Sequence, residues 1–169
     1  MGVQVADLIM AGNVGSFTVG RRTDVPSLAD LPEVHLQLLR GAVIAALATI
    51  NPDGRPQLTP VWCNTDGISV FLNSKKGRLK DRNMQERPEV TLLLVNPENV
   101  HHWMEIYGRV VEAVDETDPE RGHLATESID QLAETYLGQR PYPLRDPSGE
   151  VRVRYRVEPV KVVTSGPVT

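Results

Sequence analysis

The fold class is decided by one stretch of the chain, AVIAALATINPDGRPQLTPVWCN, residues 42–64. Residues 42–50 are apolar and rich in strand-favouring side chains, and NPDG at 51–54 is a strong turn signal. Residues 55–64 then read as the returning strand, and their two internal prolines indicate an edge strand or an interrupted ladder. The stretch therefore predicts a β-hairpin, which is typical of an antiparallel sheet.

Further strands and helices are predicted on both sides of this hairpin. The strands are 68–74, 89–97, 100–115 (with Gly108 as a bulge) and 150–163. The helices are 28–41, one from Lys75 or Lys76 to the residue before Pro88, and 117–138, with Thr117 and Glu120 as its capping box and Gly138 as its end. We expect about six mostly antiparallel strands that close into a barrel with flanking helices, because closure removes exposed strand edges.

Composition and charge narrow the class of protein. A chain of 169 residues with 40% hydrophobic content supports one compact domain. The net charge of −4 argues against a nucleic-acid or anionic-membrane partner, and no apolar run is long enough to span a bilayer. A single cysteine, Cys63, excludes an internal disulfide and fits a cytoplasmic protein, in which we expect a buried, inert thiol. We expect residues 1–25 to be a weakly structured or partner-packing arm, and residues 26–169 to form the domain.

Positive charge is concentrated in NSKKGRLKDRNMQERP, residues 73–88, which carries six basic side chains against two acidic ones. If a helix begins at Lys75 or Lys76, its cations crowd the positive end of the helix dipole, which is unfavourable. Lys76, Lys80 and Asn83 then share one helix face at i, i+4 and i+7. A bound phosphate or polycarboxylate at the helix start resolves this conflict; the alternative is a solvated, charged helix face.

The histidines and one loop are less informative. His101 and His102 are adjacent in a predicted strand, so their side chains should point to opposite faces and cannot share one metal ion. We expect no metal site, and surface positions for this pair. The loop around Tyr142 either lines a substrate pocket or covers one end of the barrel.

The order of three motifs carries a family resemblance. ATINPDGRPQLTPVW (48–62), GRLKDRNMQERPEVTLLL (77–94) and YGRVVE (107–112) together resemble the split-barrel FMN-binding superfamily, which contains pyridoxamine 5′-phosphate oxidase. Within it, the chain is most similar to the branch of coenzyme F420-dependent oxidoreductases. The resemblance covers about residues 30–163. It implies a mainly β fold, a six-stranded antiparallel split β-barrel with flanking helices, which forms a homodimer with its cofactors at the interface.

The resemblance also implies the site residues. The basic cluster and the strand before it would hold the cofactor's phosphate, a strand of the hairpin would lie beside its ring, and an aromatic residue would reach it from the opposite subunit. The residues implied for the phosphate are Asn73, Lys76, Arg78, Lys80, Arg82 and Asn83. Those implied for the ring are Gln57, Leu58, Thr59 and Pro60, and the aromatic residue from the partner subunit is Trp103. No residue declares itself as a dedicated acid or base, and Thr59 and Tyr107 are the candidate proton donors.

The function implied is an oxidoreductase that uses the deazaflavin F420 to transfer hydride to or from a small conjugated organic substrate. An FMN-binding oxidoreductase or flavin carrier of the same fold is the alternative, because both cofactors present a phosphate and a tricyclic ring. A non-catalytic module for heme or another small anion is a third possibility. Pyridoxamine phosphate oxidation is not expected, because the C-terminal RVEPVKVVTSGPVT, residues 156–169, lacks that enzyme's substrate-phosphate residues.

Overall fold

The computed structural model describes residues 2–10, 17–146 and 148–166 as a mainly β protein. Within these ranges there are nine strands: β1 (Val3–Met10), β2 (Phe17–Val25), β3 (Ala45–Ile50), β4 (Pro56–Val61), β5 (Cys63–Thr65), β6 (Val70–Lys75), β7 (Glu89–Asn96), β8 (Asn99–Asp115) and β9 (Arg152–Ser165). The same ranges hold three α-helices: α1 (Glu33–Arg40), α2 (Leu79–Glu86) and α3 (His123–Leu137). None of these helices is long and apolar enough to cross a membrane.

The strands form an open, mixed sheet in the order β2-β1-β9-β8-β7-β3-β4, and β9 also pairs with β6, which pairs with β5. One edge of the long strand β9 pairs with β8, and its other edge pairs with two different strands. Its residues 152–157 pair with β6, and its residues 161–165 pair in parallel with β1. The remaining pairings are antiparallel.

The predicted hairpin is confirmed, since β3 and β4 pair antiparallel from Ala45↔Val61 to Ile50↔Pro56. The predicted edge position is confirmed, because β4 ends the strand order. The returning strand is also interrupted, since it breaks at Trp62 and its second part, β5, pairs with β6 instead. A mainly β class with three α-helices is also confirmed. The strands β1 and β2 lie where we expected a weakly structured arm, and the parallel β1–β9 pairing makes the sheet mixed rather than all antiparallel. A closed six-stranded barrel stays a prediction.

Gly108 lies at a register shift between β8 and β9, which confirms the predicted bulge. A Cβ at this position would lie 2.5 Å from Val157 Cγ1 and 3.0 Å from the Glu158 carbonyl oxygen. The Val157 side chain and the Glu158 backbone therefore leave no room for a Cβ at position 108. Gly138 ends α3 in the left-handed conformation with φ 66°, as its predicted role as the helix end requires.

Two helix starts were predicted too early. The basic helix begins at Leu79, because β6 continues through Lys75 in register with Arg152 and the chain then turns at Gly77, whose φ is +83°. Lys76 therefore lies outside the helix and does not share a helix face with Lys80. The predicted helix 117–138 begins at His123.

The predicted capping box of that helix does not form. The Thr117 side chain donates to the Asp115 carboxylate in a turn that precedes the helix. The first predicted helix, 28–41, also differs: it divides into a single 3₁₀ turn, Leu28–Asp30, and α1, which begins after Pro32.

The core lies on the inner face of the sheet, against α1. Its fully buried side chains come from α1, the central strands and β9, among them Leu39, Leu47, Leu92, Met104, Ile106 and Tyr155. Helix α3 packs on β6 and β9, and α2 packs near the β3 end of the sheet. The space between α3, the β4–β5 break and the start of α2 contains the candidate site.

Candidate functional site

A cavity of about 340 Å³ opens between α3, the β4–β5 break and the starts of α2 and β9. We call it the cationic cavity. Its walls combine aliphatic, aromatic and basic side chains: Ile44, Pro60, Val61, Trp62, Asn73, Arg78, Lys80, Ile129, Leu132, Tyr142 and Arg152. A volume of this size lies at the lower end of the range for small-molecule sites.

Three cations meet at the polar end of this cavity. Lys80 is only 9% exposed and has no ion pair in the part of the chain that the structure describes. Its burial, and then the positive charges of Arg78 and Arg152, lower the pKa of Lys80. A buried ammonium group beside two guanidinium groups is unfavourable unless an anion neutralises it. The arrangement therefore suits a ligand with a strongly anionic group.

Arg152 is the most firmly held of the three. Its Nε donates to Asn73 Oδ1 at 2.8 Å, and its Nη1 lies 3.4 Å from the Glu150 carboxylate. The guanidinium also lies over the Tyr142 ring, 5.4 Å from its centroid. Burial lowers the pKa of Arg152, and its side chain is positioned before any ligand arrives.

An aromatic wall closes the side of the cavity next to the β4–β5 break. Trp62 stacks on Tyr136 with ring centroids 5.1 Å apart, and Tyr142 meets Trp62 edge-on. The Tyr136 hydroxyl donates to the Val43 carbonyl at 2.8 Å and accepts from the Cys63 N–H at 3.2 Å. These bonds hold the strand break in place, so the wall is part of the scaffold.

An apolar recess of about 300 Å³ adjoins the cationic cavity. The two share Ile44 and Pro60, and the recess is further lined by Ala45, Ala46, Leu58, Thr59, Leu93 and Val95. Together they offer an anion site at one end and an apolar surface along β3 and β4 at the other. A planar, mostly apolar ring system with an anionic substituent fits this division.

Side chains along β4 alternate between the two faces of the sheet, so the predicted ring-contacting residues lie in different environments. Leu58 and Pro60 are exposed on the outer face of the sheet and line the recess. Thr59 also lines the recess, but its Oγ1 is buried and has no hydrogen-bond partner among the described residues. Gln57 instead accepts a hydrogen bond from the Asn83 amide at 3.3 Å.

The predicted phosphate residues also divide. Asn73, Arg78 and Lys80 line the cationic cavity. The Asn83 amide is fully buried and bonds to Thr49, Asn51 and Gln57, so it connects α2 to the β3–β4 hairpin.

Two predicted cations lie elsewhere. Lys76 forms an ion pair with Asp115 at the surface, and Arg82 is exposed and not among the cavity-lining residues. Part of the helix start is satisfied by the protein itself, because the Gly77 N–H donates to the Asp81 carboxylate at 2.6 Å.

The remaining predicted residues lie on the outer sheet face. Trp103 is half-buried and pairs across the strands with Val95, which lines the recess. Tyr107 is 39% exposed, and a hydrogen bond with Glu105 raises its pKa, so its phenol keeps its proton. The structure brings neither residue into the cationic cavity.

The cysteine and histidine predictions have mixed outcomes. Burial raises the pKa of the Cys63 thiol to about 12, which confirms an inert thiol. His101 is exposed and His102 is buried, so the two point to opposite faces as predicted. The surface position predicted for His102 is wrong, because its ring packs against His35 with centroids 5.3 Å apart.

Sequence reasoning missed Arg152 and Trp62 and left Tyr142 undecided. The alternating stretch VRVRYRV, 151–157, contained a signal, since it places Arg152, Arg154 and Arg156 on one face of a strand. Nothing local shows that Arg152 meets Lys80, because the two meet only through the pairing of β6 with β9.

The fold and the site define a class: a mainly β protein with a small-molecule cavity that has a cationic end and an apolar surface. A family model for pyridoxamine 5′-phosphate oxidase matches residues 31–162. The chain therefore belongs to the pyridoxamine 5′-phosphate oxidase-like family of flavin-type oxidoreductases, as its motifs predict. No curated protein matches the chain.

One solved structure supports the same assignment, and two others share the fold. An F420 reductase is 29% identical, with a TM-score of 0.65, over 78% of this chain and 98% of its own. A conserved hypothetical protein from Mycobacterium tuberculosis is 24% identical, with a TM-score of 0.62, over 77% of this chain and 81% of its own. General Stress Protein 26 from Bacillus anthracis is 18% identical, with a TM-score of 0.56, over 80% of this chain and 93% of its own. The last two bear on the fold alone.

Proposed function

We propose that the protein is an oxidoreductase that binds coenzyme F420 with its phosphate in the cationic cavity, and that hydride passes to or from a small conjugated organic substrate. The observation that carries this proposal is Lys80: a nearly buried cation, beside Arg78 and Arg152, without an ion pair in the described residues. An anionic group bound there would stabilise the charged form of Lys80 and supply charge-assisted hydrogen bonds.

The residues present fit such a cofactor. Lys80, Arg78 and Arg152 would hold the phosphate, and Leu58 and Pro60 would lie against the ring. The bound deazaflavin would supply the hydride chemistry. The chain's own contribution is to bind, to orient and to exclude water, for which the aromatic wall of Trp62 and Tyr142 is placed.

The preference for F420 over FMN rests on the F420 reductase similarity. The extra cations Lys75 and Lys76 do not add to it, because they form ion pairs with Asp146 and Asp115. FMN is the second candidate, supported by the family match. A visible spectrum of the loaded protein distinguishes both from heme, the third possibility.

We also propose that the protein forms a homodimer through its outer sheet face. Cross-strand pairing puts Leu58, Ala48, Thr91 and Tyr107 in one row and Pro60, Ala46, Leu93 and Glu105 in the next. Leu58 is 68% exposed and Ile44 is 49% exposed on this apolar face. Burial against a second copy would remove this surface from water and bring the partner's Trp103 toward the recess. Cytoplasmic localisation stays a prediction.

Titration of the cofactor-free protein with F420 and with FMN tests the proposal. We expect tighter binding of F420, and we expect Lys80→Met to weaken it about tenfold to a hundredfold, because a buried charge-assisted bond is lost. Lys75→Met is the matched control: it removes a cation from the same segment that does not line the cavity. Comparable affinity for FMN would contradict the F420 preference, and unchanged affinity in Lys80→Met would contradict the phosphate site.

A further inference from the structure

A second, smaller cleft lies on a neighbouring face of α3. We call it the α3 cleft. It has a volume of about 190 Å³ and is lined by Asn64, Phe71, Leu124, Glu127, Ser128 and Arg154, among others. No residue lines both this cleft and the cationic cavity. The α3 residues involved, at 124, 127, 128 and 131, recur at helical spacing, so they form one stripe.

Two buried polar atoms in the α3 cleft lack partners within the described residues. Ser128 is 5% exposed, and its Oγ has no hydrogen bond. The Oδ1 of Asn64 is likewise buried and unpaired. Nearly all buried polar groups in folded proteins have a partner, and leaving one without costs stability. A ligand bound in the cleft that both residues line would supply the missing bonds.

Arg154 adds an unpaired positive charge. Its guanidinium lies over the Phe71 ring, 4.3 Å from the centroid, and it has no ion pair or hydrogen bond within residues 2–10, 17–146 and 148–166. Stacking uses the face of the guanidinium, whereas its N–H donors lie in the plane and stay available. The guanidinium is therefore held in place while its donors remain free for an acidic group.

Two other polar residues of the cleft, Thr65 and Asp66, are already engaged in hydrogen bonds. The Thr65 hydroxyl donates to the Ser69 carbonyl at 2.7 Å, and the Asp66 carboxylate accepts from the N–H of Ile68 at 2.8 Å. These two residues shape the turn between β5 and β6. The buried unpaired atoms are thus those of Asn64 and Ser128, with the unpaired Arg154 beside them and the exposed Glu127 and Gln131 side chains at the rim.

We propose that the α3 cleft binds a free amino acid. Its carboxylate would accept from Arg154 and the Ser128 hydroxyl, and its ammonium group would donate to Asn64 Oδ1 and meet Glu127. The volume supports a small ligand, because 190 Å³ is below the roughly 300–1,000 Å³ of drug-sized sites and equals about six waters. The cleft carries both an anion-binding and a cation-binding group, so it favours a zwitterion over a simple anion.

Heteronuclear NMR titration of the full chain with a panel of free amino acids tests this proposal. We expect saturable shifts at residues of α3 and β6 with at least one amino acid at millimolar concentration, and none with acetate or methylamine. Arg154→Met keeps the aliphatic stem over Phe71 but should weaken binding about tenfold or more. Ser128→Ala should weaken it about threefold to tenfold.

Ser74→Ala is the matched control. It also removes a buried, unpaired serine hydroxyl, but Ser74 does not line the α3 cleft, so binding should be unchanged. The proposal is overturned if no amino acid binds, if acetate binds as well as the amino acid, or if binding withstands both Arg154→Met and Ser128→Ala. F420 affinity is measured separately, so amino-acid binding in the α3 cleft and cofactor binding in the cationic cavity can each fail without the other.

Discussion

Helix α2 carries buried polar groups of two kinds, and they differ in what satisfies them. Asp81 is 2% exposed and accepts from the Gly77 N–H, the Gln85 amide and the Tyr155 hydroxyl. One residue earlier, Lys80 is 9% exposed, faces a cavity and has no ion pair in the described part of the chain. Burial alone therefore does not mark a ligand site, whereas burial of a charge without a partner does.

Asp81→Ala should give the largest loss of stability. It leaves the buried Tyr155 hydroxyl and the Gly77 N–H without their acceptor, so we expect the free energy of unfolding to fall by about 3 kcal/mol. Urea denaturation followed by circular dichroism measures it. Tyr155→Phe is the comparison variant: it removes one donor and leaves Asp81 two others, which should cost about 1 kcal/mol. Equal losses in both variants would contradict the acceptor role of Asp81.

Asn83→Ala and Lys80→Met test this difference between paired and unpaired groups directly, because only the loss of Asn83 should destabilise the protein. The Asn83 side chain bonds to Thr49, Asn51, Gln57 and Arg87. Its loss should lower the free energy of unfolding by about 2 kcal/mol.

Lys80→Met removes a buried, unpaired charge, so the cofactor-free variant should be as stable as the parent or more stable. The same denaturation experiment measures both variants. Similar destabilisation by Lys80→Met would show that its ammonium group has a structural role.

Local signals in the sequence predicted much of the fold. The hairpin at 42–64, the bulge at Gly108 and the helix end at Gly138 depend on nearby residues and turn chemistry, and all three were found. The start of α2 was missed because β6 is extended through Lys75 by pairing with Arg152, which is distant in sequence.

The same limit applies to the candidate site. Asn73, Arg78 and Lys80 were recognised from a motif, whereas Arg152 joins them only through strand pairing. The N-terminal strand β1 was missed for a related reason, because its partners are β2 and the distant β9. Contacts across long sequence separations leave little trace in local patterns.

The surface pair Lys76–Asp115 should contribute only at moderate pH. Hydrogen bonds from Lys76 and then Thr117 lower the pKa of Asp115 from 3.8 to about 2. Its stabilisation is therefore present above the unfolded pKa and is lost as pH falls through the folded pKa.

Because Lys76 is half exposed, solvent limits the contribution to about 1 kcal/mol. Urea denaturation of the parent and Asp115→Asn should show this difference in full near about pH 6 and only a small part of it near about pH 2, where part of the folded-state Asp115 is still ionised. A difference that is constant across this range would contradict the ion pair.

Arg82→Met should have the smallest effect, which makes it the sharpest test of where the cofactor site ends. The family resemblance assigns Arg82 to the phosphate, but it is exposed and lies outside the lining of the cationic cavity. We expect the F420 affinity of Arg82→Met to match that of the parent. Arg78→Met removes a cavity-lining cation and should weaken F420 binding several-fold. Isothermal titration calorimetry on both variants measures the contrast. An equal loss in the two would extend the anion site beyond the cavity and onto the exposed face of α2.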